Sequence, residues 1–205
     1  DYMTTNTNKT AEKISQSVNS FLDDQKLCLT DIKKEEIIQI TKILLDKRND
    51  EKQFFVCGNG GSASTASHFV SDLVKTAIVK DQKRFKAHSL VDNLPVISAW
   101  SNDKSYDDVF LEQLKNFLEE DDVLIVFSGS GNSTNIIKAI KYANSKKAIS
   151  IGLTGMGGGK MKNLCDVCLT VNSDNMLAIE STHLTLCHCI ITSIRSMGKP
   201  LFKYE

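Results

Sequence analysis

The chain has 205 residues, and its 25 lysines and arginines balance 25 aspartates and glutamates, so the formal net charge is zero. That balance excludes a broad electrostatic nucleic-acid binder, while 41% hydrophobic and 24% charged residues exclude disorder and coiled coil and suit one globular domain. No apolar run reaches the roughly 18 residues of a membrane span, and residues 1–11 are polar, which reads as a cytoplasmic protein with no membrane partner.

The N-terminal part reads as helical. Ile14, Val18, Phe21 and Leu22, then Ile37, Ile40, Ile43, Leu44 and Leu45, recur at helical spacing, and Asp31 suits the cap of the second helix. From Gln53 the rhythm changes to short β-rich runs at 54–57, 87–91, 123–127, 148–153 and 167–171. Helical stretches separate them near 62–78, 107–118, 133–144 and 175–197. Unalternated apolar strands divided by helices predict a doubly wound α/β fold, with a five-stranded parallel sheet flanked by helices. With only Pro95 and Pro200 and no linker tract, residues 1–205 read as a single domain: an N-terminal helical segment, 1–50, and an α/β core, 51–197. A five-stranded core hardly needs the apolar N-terminal helices, so they are expected to bury a homo-oligomeric interface.

Ligands of open α/β sheets gather at the carboxyl ends of strands. The first such end reads Gly58-Asn59-Gly60-Gly61-Ser62-Ala63. It fits G-x-G-x-x-A, but a dinucleotide site also needs an acidic residue about 20 positions on, and the candidate Asp92 lies too far away. What remains is glycine backbone and a helix start, both suited to an anion. A second end, Ser128-Gly129-Ser130-Gly131-Asn132-Ser133-Thr134, interleaves hydroxyls with glycines before a helix and reads as a phosphate cradle without lysine. Ser133 also suits an N-cap. A third loop, 154–161, mimics a nucleotide-binding P-loop but has Thr154 where the first glycine belongs and Met161 where a hydroxyl should hold magnesium.

His68 and Asp72 are four apart on one helix face, and Glu180, His183 and His188 share the last helix. Two histidines and two carboxylates from two helices suit a zinc ion or a general acid/base pair, while His183 or His188 alone also suits a core histidine bonded to a carbonyl. Of the six cysteines, four sit in apolar runs as small hydrophobes, and Cys165-x-x-Cys168 without a second pair is a weak metal or redox signal.

Taken in order, Gly58-Asn59-Gly60-Gly61-Ser62 with His68, Ser101-Asn102-Asp103, Ser128-x-Ser130-Gly131-Asn132-Ser133, Leu153-Thr154-Gly155 and Glu180-x-x-His183-x-x-x-x-His188 resemble the phosphoheptose isomerases of the sugar isomerase (SIS) family. The resemblance implies a five-stranded parallel sheet between helices, a homotetramer, and conversion of sedoheptulose 7-phosphate to the aldose heptose 7-phosphate used in surface polysaccharide. It implies that Asn59, Gly60, Gly61 and Ser62 line the sugar, that Asn102 and Asp103 contact its hydroxyls, and that Ser128, Ser130 and Ser133 hold its phosphate. It also puts the catalytic pair on Asp72 and His188 and zinc on His68, Asp72, Glu180 and His188. Asp72 stands where the family usually has Glu, and Glu180 where it usually has Gln. As in relatives, the site is expected between chains, with the helix of His68 and Asp72 meeting the helix of Glu180 and His188 across the interface. A non-catalytic SIS module binding a sugar phosphate or a protein, and an isomerase of another sugar phosphate, are the alternatives.

Overall fold

The computed structural model describes residues 2–204, with side chains from residue 8 onward. The strands are β1 Gln53–Gly58, β2 Lys86–Ser89, β3 Val123–Ser128, β4 Ile149–Thr154 and β5 Val167–Thr170. All pair in parallel, in the order β2-β1-β3-β4-β5. The chain therefore switches direction between β1 and β3, where doubly wound sheets open a crevice for ligands. Gly58 lies in register with Phe127, so the loops leaving β1 and β3 emerge side by side.

The helices are α1 Tyr2–Thr30, α2 Lys34–Asn49, α3 Gly61–Ser71, α4 Leu94–Asp103, α5 Val109–Phe117, α6 Thr134–Ser145 and α7 Met176–Arg195. Successive strand residues point to opposite faces. Phe54, Val56, Ile125 and Phe127 accordingly pack with Phe69, Ile179 and Ile190 on one face, and Phe55, Cys57, Leu124 and Val126 with Phe110, Leu114 and Ile140 on the other. Each such side chain, fully buried, contributes about 1.5–3 kcal/mol. Helix α7 is long and apolar enough to cross a membrane, yet half of it is buried within the protein, as befits a core helix.

Four sequence expectations change. Asp31 does not cap α2: it is the turn residue after α1, its backbone N–H donating to Leu27 O, and the residue at the cap of α2 is Lys33. The helix expected over 62–78 ends as an α-helix at Ser71 and continues as a π turn, Asp72–Thr76, in which Ala77 N–H donates to Asp72 O. The apolar spacing does not predict helix α4, although Asn93 caps it by accepting from Val96 N–H and Pro95 sits in its first turn, both start signals. Its lack of any buried residue explains the missing apolar period.

The fourth change separates the N-terminal helices. Ile40 and Leu44 of α2 are fully buried in the main core, so this helix is needed by its own chain. Helix α1 is tied down at its C-terminal end, through buried Cys28 and the Gln25–Thr182 and Asn175–Asp24 hydrogen bonds, while Ile14, Val18, Leu22 and Leu27 are exposed.

Candidate active site

The loops after β1 and β3 enclose a cleft of about 260 Å³, lined by Asn59, Gly60, Gly61 and Ser62 on one side and by Ser128, Gly129, Ser130 and Ser133 on the other, with Phe127, Met176 and Glu180 closing it. In the second loop Gly131 has a positive φ of 64°, and a Cβ there would meet Gly158 O at 2.2 Å, so only glycine lets the backbone turn back this tightly. Gly131 N–H donates to Ser128 Oγ and Asn132 N–H to Ser130 Oγ, which holds the loop open as a bowl at the start of α6. Ser133 takes the N-cap position, but its hydroxyl makes no capping bond and faces the cleft instead. Thr134 is exposed and outside the lining. Hydroxyls and backbone amides at a helix start form a site for a phosphate.

The opposite wall begins at Gly60, whose φ of 55° starts α3. A Cβ on Gly61 would fall 2.4 Å from a Glu180 carboxylate oxygen, so the glycine is what lets that carboxylate lie against the first turn of α3, where the helix dipole favours it. The Asn59 side chain is a brace: it exchanges two 2.9 Å hydrogen bonds with the Asn135 amide, and its Oδ1 also accepts from Tyr106 Oη at 2.8 Å. Asn102 and Asp103 end α4, hydrogen-bonded to each other at 2.8 Å, and do not line the cleft.

About 10 Å along the α3 axis from Gly61, a second group forms from titratable side chains. His68 Nε2 and His188 Nε2 lie 3.3 Å apart, and each is 3.5 Å from Asp72 Oδ2. Both imidazoles are roughly half exposed, while the carboxylate is nearly buried. Thr76 Oγ1 donates to Asp72 Oδ1 at 2.7 Å across the π turn, and Arg195 holds the Thr76 carbonyl. This leaves Asp72 Oδ2 as a buried oxygen with no hydrogen-bond partner, pointed at two imidazole nitrogens. An orphaned carboxylate oxygen among two imidazoles is a donor set for a divalent cation, and these three residues form a metal-type cluster among the described residues.

Two sequence expectations are corrected here. Glu180 stays in the cleft and is not among the clustered donors, because eight residues of helix separate it from His188 by about 12 Å. The helices of His68 and of His188 meet within one chain, not across an interface. His183 is a core histidine: its Nε2 bonds the Thr154 carbonyl at 3.0 Å, and burial pushes its pKa down to about 4. Sequence reasoning missed Tyr106, Asn135, Met176 and Thr76. Asn135 and Thr76 each stand within a few residues of a motif, but their partners are set by folding.

A family model for the SIS domain matches residues 20–155. The chain is 38% identical over 157 residues to the phosphoheptose isomerase of Aliarcobacter butzleri, covering 76% of this chain and 82% of that protein. It is 35% identical over 160 residues to that of Helicobacter pylori, covering 78% and 83%. The structure of a phosphoheptose isomerase from Francisella tularensis superimposes with a TM-score of 0.83 at 28% identity, covering 91% of this chain and 98% of that one. That from Neisseria gonorrhoeae gives 0.82 at 28% identity, covering 91% and 99%.

Proposed function

The chain belongs to the SIS-domain family that includes the phosphoheptose isomerases, and we infer that it is itself an aldose–ketose isomerase acting on a phosphorylated heptose. The substrate we propose is sedoheptulose 7-phosphate, converted to D-glycero-D-manno-heptose 7-phosphate. The observation that carries this reading is the pairing of a hydroxyl-lined cleft with a His68–Asp72–His188 group on the two helices that line it. Ser128, Ser130 and Ser133 are assigned to the phosphate, and Gly60, Gly61, Ser62 and Glu180 to the sugar chain. Asn59 shapes that wall through Asn135, and Asn102 and Asp103 are assigned to the outer end of the sugar.

The reaction moves a proton between neighbouring carbons. A base takes a proton from C1 of the ketose while the C2 oxygen gains one; the enediol then takes a proton at C2 as the O1 hydroxyl gives one up. His188, half exposed, is assigned as the base, and Asp72 orients it and serves as the second acid/base group. His68 completes the group. In a zinc-loaded form His68, Asp72 and His188 would hold the ion, which would supply Lewis-acid stabilisation of the developing oxyanion in place of proton transfer by the His188 nitrogen that binds it. The exposed apolar face of α1 is assigned to a homotetramer interface.

The test is a panel of phosphorylated ketoses assayed with the protein as purified and after zinc is supplied and then chelated. Sedoheptulose 7-phosphate is expected to give the largest kcat/KM, with about one zinc per chain; turnover of a different ketose phosphate would reassign the substrate, and turnover of none would leave a sugar-phosphate-binding module.

A further inference from the structure

The Cys165-x-x-Cys168 pair stands apart from the proposed chemistry. Cys168 lies on β5 in register with Gly152 of β4, and Cys165 precedes it by one bend. Both sulfurs converge over Gly152: a Cβ built there would meet Cys165 Sγ at 2.9 Å and Cys168 Sγ at 3.2 Å. The absent side chain is thus the space the two thiols share. Both cysteines are half-buried, whereas Cys28, Cys57 and Cys187 are buried. The neighbouring Cys168 sulfur, together with burial, pushes the Cys165 thiol up, while Cys165 draws the Cys168 thiol down, the asymmetry of an attacking and a resolving thiol. Neither belongs to a cluster of three or more metal-type donors among the described residues, which argues against a metal here.

We propose that Cys165 and Cys168 form a dithiol that closes to an intramolecular disulfide by exchange with a small disulfide, and that closure loosens sugar-phosphate binding. The Cys168 thiolate attacks one sulfur of the small disulfide and expels a thiol; Cys165, giving up its proton, then attacks the Cys168 sulfur and expels the second thiol. The protein loses two hydrogens, and the small disulfide is reduced to two thiols.

The link to binding is the turn just before Cys165. Cys165 N–H donates to Met161 O, Met161 N–H to Gly131 O, and Lys160 N–H to Asn132 Oδ1, so this turn props the serine loop from behind. The Met161 methyl also touches the space above Gly152 that the sulfurs share. A shortened sulfur–sulfur distance there moves the prop. The kinetic part of the proposal rests on the phosphate assignment above; the disulfide does not.

The test incubates the whole protein with oxidised glutathione, alkylates free thiols, and maps peptides without reduction. The expected result is a peptide holding both cysteines that is two hydrogens lighter and unalkylated, formed in the wild type and absent in Cys168→Ser. Persistent alkylation of both cysteines, with glutathione only on exposed Cys189, would overturn the disulfide. In parallel, KM for the sugar phosphate is expected to rise several-fold on oxidation, to return with dithiothreitol, and to stay constant in Cys168→Ser. A complete disulfide with unchanged KM would overturn the link to the loop. Loss of isomerase activity in every state would instead count against the function, since the mass readout does not depend on it.

Discussion

The serine cleft and the histidine cluster share α3 and α7 as walls and are built from opposite materials. Apart from the Glu180 carboxylate, the cleft uses backbone amides, glycines and hydroxyls, none of which titrates near neutrality, and its shape comes from left-handed turns at Gly60 and Gly131. The cluster uses two imidazoles and a carboxylate and almost no backbone. The serine loop can hold a phosphate without taking part in proton transfer; the cluster can move protons but offers little to grip. His183, five residues before His188 on the same helix, shows that residue type alone does not make a proton-transfer group, because burial keeps it neutral.

Removing a cluster member is the strongest way to test this division. His188→Asn is expected to keep the fold, leave KM nearly unchanged and lower kcat on the order of 100-fold or more, the scale of a general acid/base. Near-normal turnover of pure variant would transfer the proton chemistry elsewhere.

His183 provides the contrasting histidine. Unfolded, it binds a proton near pH 6.5; folded, only near pH 4. Between these values the unfolded chain holds the extra proton, so stability is full above about pH 6.5 and falls as pH drops towards 4. The loss approaches about 3 kcal/mol. In His183→Gln, which keeps a donor for the Thr154 carbonyl, the melting temperature should decline less steeply over that window. An identical slope in both proteins would remove His183 as the cause.

On the cleft side, Ser133→Ala should raise KM by about 1–2 kcal/mol, the worth of one hydrogen bond to a charged group, with kcat little changed. A kcat loss matching that of His188→Asn would erase the distinction between the two regions. The smallest expected effect is none at all. Because His68 and His188 meet within one chain, co-expressed His68→Ala and His188→Ala chains should recover no activity in hybrids verified by mass; recovery would place the working pair across an interface.

Much of this was legible in the amino-acid order. Runs such as 123–127 are apolar at every position, which only a strand covered on both faces tolerates, so five strands and their parallel arrangement followed from periodicity. Glycines and serines at strand ends marked the cleft, and the four-residue spacing of His68 and Asp72 marked half of the cluster, because such signals are local. Other features have no local signal. That α2 belongs to the core while α1 exposes its apolar face depends on which surface α7 presents to them. That Glu180 faces Gly61 while His188 faces His68 follows from the length of α7 and the angle at which it passes α3. Whether a histidine is a buried neutral donor or a half-exposed base is decided by desolvation, a property of everything packed around it, and so only the tertiary structure could separate His183 from His188.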